Sequence, residues 1–270
     1  MYYLIYSLLS LNALLLPHSA WSQSDDSEQQ ALFEILLSDQ QPAAIAYDTL
    51  RHMNADLSSS THQQQSYTAL KAQIEQGRTA ITNTQYHYLL GRLHRDSDSP
   101  FYDLGKAEQH FYQAAQDQHP EAAYELAKLY HYNDFFLDYP SALYFYEMSA
   151  KEGFRAIWTQ KYPKWQKFYV DLAAASEYQL GKLYELGQGV NIDYAKAFEY
   201  YQKAARKRHH NATYRIAMIY KTGLGKQIEA DPFEAIFWFE KLINPNDPTL
   251  TEAEVLQQLD QLYEELAFQR

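Results

Sequence analysis

The sequence predicts an all-α fold, an α-solenoid in which antiparallel helix pairs are stacked one after another. The first observation is a repeat: Tyr178-Gln-Leu-Gly181-Lys-Leu-Tyr184-Glu-Leu-Gly187 is followed 36 residues later by Tyr214-Arg-Ile-Ala217-Met-Ile-Tyr220-Lys-Thr-Gly223. A fixed period of this length is typical of proteins whose units cannot bury their apolar face alone. The second is composition, since 46% hydrophobic residues with nine glycines and nine prolines in 270 residues favour a packed helical protein.

Four predicted second helices share one pattern. In each of them an Asp is followed four residues later by an Ala, and bulky residues come three and four positions after the Ala. The Asp carboxylate caps free backbone N–H groups at a helix start, and positions spaced by 3, 4, 7 and 8 share one buried face. The Asp/Ala pairs are Asp103/Ala107, Asp138/Ala142, Asp193/Ala197 and Asp231/Ala235.

The predicted first helices place a small residue between two rings on one face. In the last two units, Gly187 and Gly223 end the first helix, in the left-handed conformation that glycine adopts with least strain. Each unit is therefore predicted to be a helix, a tight turn and a second, antiparallel helix. The ring–small–ring triplets are Tyr88/Gly91/His94, Tyr124/Ala127/Tyr130, Tyr178/Gly181/Tyr184 and Tyr214/Ala217/Tyr220.

The stretch from Ala175 to Ala205 reads Ala-x-x-Tyr-x-Leu-Gly-x-Leu-Tyr-x-x-Gly-x-Gly-Val-x-x-Asp-x-x-x-Ala-x-x-Tyr-Tyr-x-Lys-Ala-Ala. It resembles a Sel-one-like repeat, a member of the tetratricopeptide-like α-solenoid superfamily. The resemblance is specific over 175–243 and looser over 86–153, where Asp96-Ser97-Asp98 and Asn133-Asp134-Phe135-Phe136 replace the turn glycines. It implies a right-handed solenoid of four repeats over 86–243 with terminal capping helices, and a non-enzymatic adaptor of the kind common in bacterial envelopes.

Residues 1–22 are predicted to be a signal peptide. An apolar run from Tyr2 to Leu16 is followed by Ala20-Trp21-Ser22, whose small residues fit cleavage before Gln23. Since no Lys or Arg precedes the run, an inner-membrane anchor facing the periplasm and a buried helix are the alternatives. Cleavage predicts a soluble periplasmic protein. The sequence contains no cysteine, which excludes a lipid-modified N-terminal cysteine, disulfides and thiol catalysis.

Residues 23–85 are predicted to form a helical segment, which we also consider as a degenerate repeat that closes the N-terminal end of the array. A polar break at Ser58–Gln65 separates two stretches with helical apolar spacing. The positions predicted to face the core are Ala43, Ala46, Tyr47, Leu50 and Met53, then Tyr67, Leu70 and Ile74.

Residues 244–270 are predicted to be a capping helix. Thr251-Glu-Ala-Glu254 is a capping box, and the helix that it opens has one apolar and one polar side, as a terminal cap needs. An oligomerisation helix is the alternative. The residues predicted on the apolar side are Val255, Leu256, Leu259, Leu262, Tyr263 and Leu266.

The spacing between the second and third units is longer than the period. Tyr124 and Tyr178 are 54 residues apart, which places an insertion at about 154–173. Insertions in solenoids often lie on the binding face, and aromatic residues dominate interface hot spots. Packing of these rings on the neighbouring repeats is the alternative, because exposed aromatic patches are uncommon. The candidate contact residues are Trp158, Tyr162, Trp165 and Phe168.

A second candidate surface, here called the first-helix strip, follows from the resemblance, which places the first helices on the concave side. Residues between their buried rings are predicted to point outward, and six of these twelve are Lys or Arg in a chain of net charge −11. A basic strip favours an acidic segment of a partner protein, and an ordinary solvated face is the alternative. The candidate residues are Arg92, Arg95, Lys128, His131, Lys182, Arg215 and Lys221, and the other five positions are Leu89, Glu125, Gln179, Glu185 and Met218.

The sequence contains no His-Glu-x-x-His, Gly-x-Ser-x-Gly or phosphate-loop motif, so we predict no catalytic, cofactor or metal site. The net negative charge opposes binding to nucleic acid. We therefore expect an exported, non-enzymatic adaptor, a monomer or weak dimer. Its expected role is to bind another protein while an envelope machine is assembled or positioned, such as a secretion system, a polysaccharide exporter or a motor or division complex. The alternative is a protein that binds or hydrolyses peptidoglycan.

Overall fold

The computed structural model describes residues 42–54, 60–76, 82–159, 163–243 and 253–268. Within these ranges the chain forms eleven α-helices, one 3₁₀ turn at Pro163–Trp165 and no strand, which confirms the all-α class. The predicted signal peptide at 1–22 lies outside the described residues. The helices are α1 Ala43–Asn54, α2 Ser60–Gln76, α3 Asn83–Arg95, α4 Leu104–Gln116, α5 Pro120–Tyr132, α6 Tyr139–Trp158, α7 Gln166–Leu186, α8 Tyr194–Arg206, α9 His210–Thr222, α10 Pro232–Glu240 and α11 Ala253–Phe268.

The helices belong to two compact units. The first contains the described residues up to Leu126 together with the described part of 156–166, and the second contains 127–155 and the described residues from Lys167 onward. No helix in the described ranges is both long enough and apolar enough to cross a membrane.

In the first unit, α1 and α2 pack on α3. The predicted core positions of α1 and α2 whose side chains are described are all buried, so that prediction is confirmed. Glu121 of α5 is also buried, and its carboxylate accepts a hydrogen bond from the backbone N of Ala44 at 2.6 Å, which satisfies one free N–H group of α1. The predicted polar break is wrong from Ser60 onward, because α2 begins there.

The second helices begin as predicted. Asp103, Asp193 and Asp231 accept hydrogen bonds at 3.0, 2.9 and 3.0 Å from backbone N atoms two or three residues later. Asp138 accepts a longer one, 3.3 Å, from the backbone N of Ser141. The four alanines predicted to lie at close contacts are fully buried, namely Ala107, Ala142, Ala197 and Ala235.

Small residues of the first helices lie directly against rings of the second helices. A Cβ atom added to Gly181 would lie 2.6 Å from the Tyr201 ring, and one added to Gly91 would lie 2.6 Å from the Phe111 ring. These distances are shorter than van der Waals contact, so a larger residue at either position would force the ring or the helix to shift. Gly187 and Gly223 have positive φ, 68° and 75°, which confirms that glycine is needed where α7 and α9 end. Gly223 differs from the predicted left-handed helical conformation, because its ψ is 169°.

Within its described residues, the insertion lengthens two helices. Helices α6 and α7 have 20 and 21 residues, whereas α5, α8 and α9 have 13 each. Small residues allow α6 and α7 to approach closely: Ser176 Oγ donates to Ser149 Oγ at 3.0 Å, and a Cβ on Gly153 would lie 3.6 Å from that of Ala173.

The C-terminal helix α11 covers the end of the second unit. Val255, Leu259 and Leu262 are buried in a cluster with Phe239 of α10. Leu256 and Tyr263 are exposed, so their predicted place on the apolar side is wrong. The buried positions are spaced by four and three residues, and each exposed position lies about 100° further round the helix than its buried neighbour.

Candidate partner-binding surfaces

In the first unit, the arginines of the first-helix strip contact other parts of the chain. Arg92 of α3 forms an ion pair with Asp48 of α1, with Nη2 and Oδ1 2.6 Å apart, and its guanidinium lies 4.8 Å from the centre of the Tyr47 ring. Arg95 forms an ion pair with Glu125 of α5, whose side chain is largely buried. Burial is the largest of several effects on Arg95, and it lowers the pKa of this residue. Both cations therefore help to hold neighbouring helices together.

In the second unit, the strip residues also contact other parts of the chain. Lys182 Nζ donates to Tyr132 Oη at 3.2 Å. Arg215 of α9 forms a bidentate ion pair with Glu185 of α7. Lys221 donates to Gln258 and Gln261 of α11 at 2.6 and 2.8 Å, so the capping helix covers it.

The two arginine–glutamate pairs follow one rule. Each joins the last strip position of one first helix to the first strip position of the next first helix in the same unit. The order of the charges is reversed between the two pairs: the earlier residue is Arg95 in the first pair and Glu185 in the second. The strip thus carries diagonal ion pairs between repeats, which a comparison of equivalent positions in the sequence does not reveal.

Three residues predicted to point outward are buried, namely Leu89, Glu125 and His131. Leu89 belongs to the core of the first unit. His131 lies between Tyr146 Oη, 3.4 Å from its Nδ1, and Gln188 Oε1, 3.3 Å from its Nε2, and burial lowers its pKa. All three expectations are corrected. Each residue directly follows a ring of the predicted triplets, and this side of the helix is also covered by other parts of the chain. Lys128 is half-buried on α5.

The aromatic residues of the insertion differ in exposure. The Trp158 side chain at the end of α6 is 73% exposed, whereas Trp165 and Phe168 are half-buried. Phe168 contacts the buried Tyr169 edge to face, with ring centres 5.2 Å apart. Tyr162 lies outside the described residues. The partner-binding role of this segment stays a prediction.

A third surface, which we did not predict from the sequence, is an open groove between α6 and α8 of the second unit. We call it the second-helix groove, and its volume is about 440 Å³. Leu180 of α7 forms the buried floor, and Phe154, which is 49% exposed, forms part of the α6 wall. Its lining residues are Glu147, Ala150, Lys151 and Phe154 of α6, Glu177 and Leu180 of α7, Tyr200 and Lys203 of α8, and Lys207, which directly follows α8.

The charged residues of the groove fall into two kinds. Lys207 Nζ contacts both carboxylate oxygens of Glu177, at 2.7 and 2.6 Å, and this pair is mostly buried. Burial raises the pKa of Glu177, although Lys207 opposes that rise. By contrast, Lys151 is 81% exposed, and Lys203 forms an ion pair with the exposed Glu199 at 2.7 Å and lies 4.9 Å from the centre of the Tyr200 ring. The exposed lysines are the ones that a ligand could reach.

Three histidines are stacked in the first unit. The Nδ1 atoms of His87 and His110 are 3.0 Å apart, so one must donate a proton to the other. The His94 ring stacks on that of His110, with centres 5.5 Å apart. Burial, together with the nearby His87, His94 and Lys106, lowers the pKa of His110 to about 4. In the described part of the chain, no three His, Asp or Glu residues are arranged to hold a metal ion.

This cluster predicts a loss of stability in acid. His110 has a reference pKa of 6.5 and a folded-state pKa of about 4, so its contribution is complete above pH 6.5 and is lost as the pH falls towards 4. We expect His110→Asn, which keeps a polar atom near His87, to reduce the loss of unfolding free energy between pH 7.5 and 4.5 by about 1–2 kcal/mol. Urea unfolding at both pH values measures this. The same replacement at the exposed His210 is the control, and equal losses for His110→Asn and the unaltered protein would contradict the prediction.

A model of the Sel1 repeat matches the chain four times, over 84–119, 120–154, 174–209 and 210–244, which together are more than half of its length. The chain is similar to a solved Sel1 repeat protein from Oxalobacter formigenes, with 21% identity over 57% of this chain and 96% of that one, and a TM-score of 0.41. It is also similar to a protective antigen of uropathogenic Escherichia coli strains that displays an SLR fold, with 20% identity over 92% of this chain and 63% of that one, and a TM-score of 0.35. No protein of curated function matches the sequence.

Proposed function

The chain belongs to the Sel1 repeat family of protein-interaction scaffolds, and from this premise we propose that it is an exported scaffold that helps to assemble or position a bacterial envelope machine. The observation that carries the proposal is the set of four Sel1 repeats. Stacked helix pairs present long rows of side chains, a surface suited to holding a partner protein. A secretion system, a polysaccharide exporter and a motor or division complex are the kinds of machine that we propose.

The non-enzymatic part of the proposal is supported by the chemistry of the described residues. Four charged side chains of the first-helix strip form two ion pairs between repeats, and the second-helix groove is open and mainly apolar. Catalysis by acid and base would require titratable groups that converge on a water-excluding pocket. An open groove with an apolar floor is better suited to a side chain of another protein.

Export is supported by the apolar run and small-residue site within residues 1–22. We expect cell fractionation to place the chain in the periplasm, and N-terminal sequencing to find a mature chain that begins near Gln23. A variant with Ala20→Arg and Ser22→Arg is the control, because it should keep the leader attached by blocking the small-residue cleavage site. A chain in the membrane fraction that still begins at Met1 would favour the anchor, and a cytoplasmic chain would contradict export.

A further inference from the structure

The second-helix groove exists because the insertion changes the end of α6. Gly153 lies eleven residues after Ala142, as Gln118 does after Ala107 and Arg208 after Ala197. Gln118 and Arg208 adopt positive φ, 61° and 64°, and mark the turns that follow α4 and α8. At Gly153 the helix continues instead of turning. Helix α6 is therefore longer than α8, with 20 residues compared with 13. Phe154 is carried on this extension.

The groove is built from helical faces in register. Its α6 wall consists of positions spaced by three, four and seven residues, from Glu147 to Phe154. Its other wall runs from Tyr200 and Lys203 of α8 to Lys207 just after that helix, with spacings of three and four. Ala150 belongs to the α6 wall, the buried Leu180 of α7 lies between the walls, and most of the surface is apolar. Such a cleft fits the apolar face of a peptide, because recognition of this kind uses anchors in a groove between helices.

The charged residues of the groove indicate which residues of the partner segment would lie next to its apolar side chain. Three lysines and two glutamates line it, a net positive lining in a chain of net charge −11. Lys151 and Lys203 are the exposed cations, and their partners Glu152 and Glu199 are 3.8 and 2.7 Å away. An exposed ion pair within one helix contributes little to stability, so a carboxylate from outside can replace Glu199 at little cost. A cationic segment would instead meet both lysines and be repelled.

We propose that the second-helix groove binds a short segment of a partner protein that has one bulky apolar side chain next to a carboxylate. This inference rests on the proposed scaffold function and assigns its contact to the second helices. The apolar side chain lies between Phe154, Ala150 and Leu180, and the carboxylate contacts Lys151 or Lys203. A buried anchor of this type supplies most of the affinity, and the charges set the specificity.

The test uses the purified full chain and a phage library of random 12-residue peptides. We expect the enriched peptides to share a Phe, Leu, Met or Trp next to an Asp or Glu, and one synthetic peptide of that sequence is then titrated by fluorescence anisotropy. Ala150→Trp, which fills the groove, should weaken its binding at least tenfold. The double variant Lys151→Glu/Lys203→Glu should weaken it at least fivefold and remove its dependence on salt. This second variant decides the result if the first does not fold.

Two matched controls should leave binding unchanged. Ala195→Trp adds the same ring on an exposed part of α8 outside the groove, and Lys167→Glu reverses an exposed lysine of α7. Failure to enrich any peptide on the folded chain, or enriched peptides that bind all variants equally, would overturn the proposal. A partner found in cells whose binding ignores both groove variants would also overturn it, while leaving the scaffold function standing. Absence of any partner protein in cells would count against the scaffold function itself.

Discussion

Replacing Gly181 with alanine is expected to destabilise the protein by about 1–3 kcal/mol. In most helix interiors the same change would stabilise by up to about 1 kcal/mol, because alanine has the higher helix propensity. Here the added Cβ would lie 2.6 Å from the Tyr201 ring. That ring is buried, and its hydroxyl donates to Glu185 Oε2 at 2.6 Å, so it cannot move aside without losing a hydrogen bond. The steric cost therefore exceeds the gain in propensity.

Thermal and urea unfolding of Gly181→Ala measure this, and Gly105→Ala is the matched control. Gly105 also lies in a helix, α4, but the nearest atom to its added Cβ is Asp103 Oδ1 at 3.4 Å, so the control should be neutral or slightly stabilising. Gly91→Ala, against the Phe111 ring, should behave like Gly181→Ala. Equal or raised stability for all three variants would mean that the helices do not approach at these glycines.

Reversing Arg215 to glutamate is expected to destabilise the second unit by about 2 kcal/mol, less than for a fully buried pair because the Arg215 side chain is 33% exposed. Glu185 is mostly buried, and the reversal would leave it facing a like charge across two repeats. The exchange Glu185→Arg/Arg215→Glu should recover about half of the loss, since it restores the ion pair. Recovery should be incomplete because Tyr201 would lose its carboxylate acceptor, and an arginine side chain accepts no hydrogen bond.

The control for this pair is Lys167→Glu, at an exposed ion pair with Asp171 on α7. Pairs of that kind contribute about 0.3–0.5 kcal/mol, so this variant should unfold almost as the unaltered protein does. Chemical denaturation of the two single variants and the exchanged variant completes the comparison. A stability for the exchanged variant equal to the sum of the two single losses would show that the residues do not interact.

The helix pairs were predictable from the sequence because their determinants are local. An Asp that caps backbone N–H groups, an Ala four residues later and rings beyond it specify a second helix with a buried face, as Asp193, Ala197 and Tyr201 illustrate. The Sel1 resemblance depends on the same positions, and the four matched repeats confirm it. The polar Ser60–Gln65 segment was misjudged because residue type alone does not decide whether polar residues form a helix.

The surfaces were less predictable because they depend on how neighbouring helices are displaced along their axes. Aligning equivalent positions predicted a basic strip, whereas in the structure Arg95 meets Glu125 and Glu185 meets Arg215 on the diagonal. Gly153 is a second position at which the sequence pattern did not predict the structure. Its place in the repeat favours a turn, but close packing on α7 near Ala173 holds it in a continuous helix. The second-helix groove exists because the helix continues at Gly153, and no local sequence pattern predicted that continuation.

The measurement that tests the scaffold function most directly is cross-linking of the full chain in the cells that express it, followed by mass spectrometry of the adducts. A photoreactive residue is introduced in separate experiments at Lys203 in the groove, at Lys182 in the first-helix strip and at Trp158 in the insertion. We expect a discrete adduct with another protein from at least one position, strongest from Lys203, and none from a Gly181→Leu variant that does not fold. The absence of a protein adduct from all three positions, or adducts only with cell-wall glycan, would contradict the account.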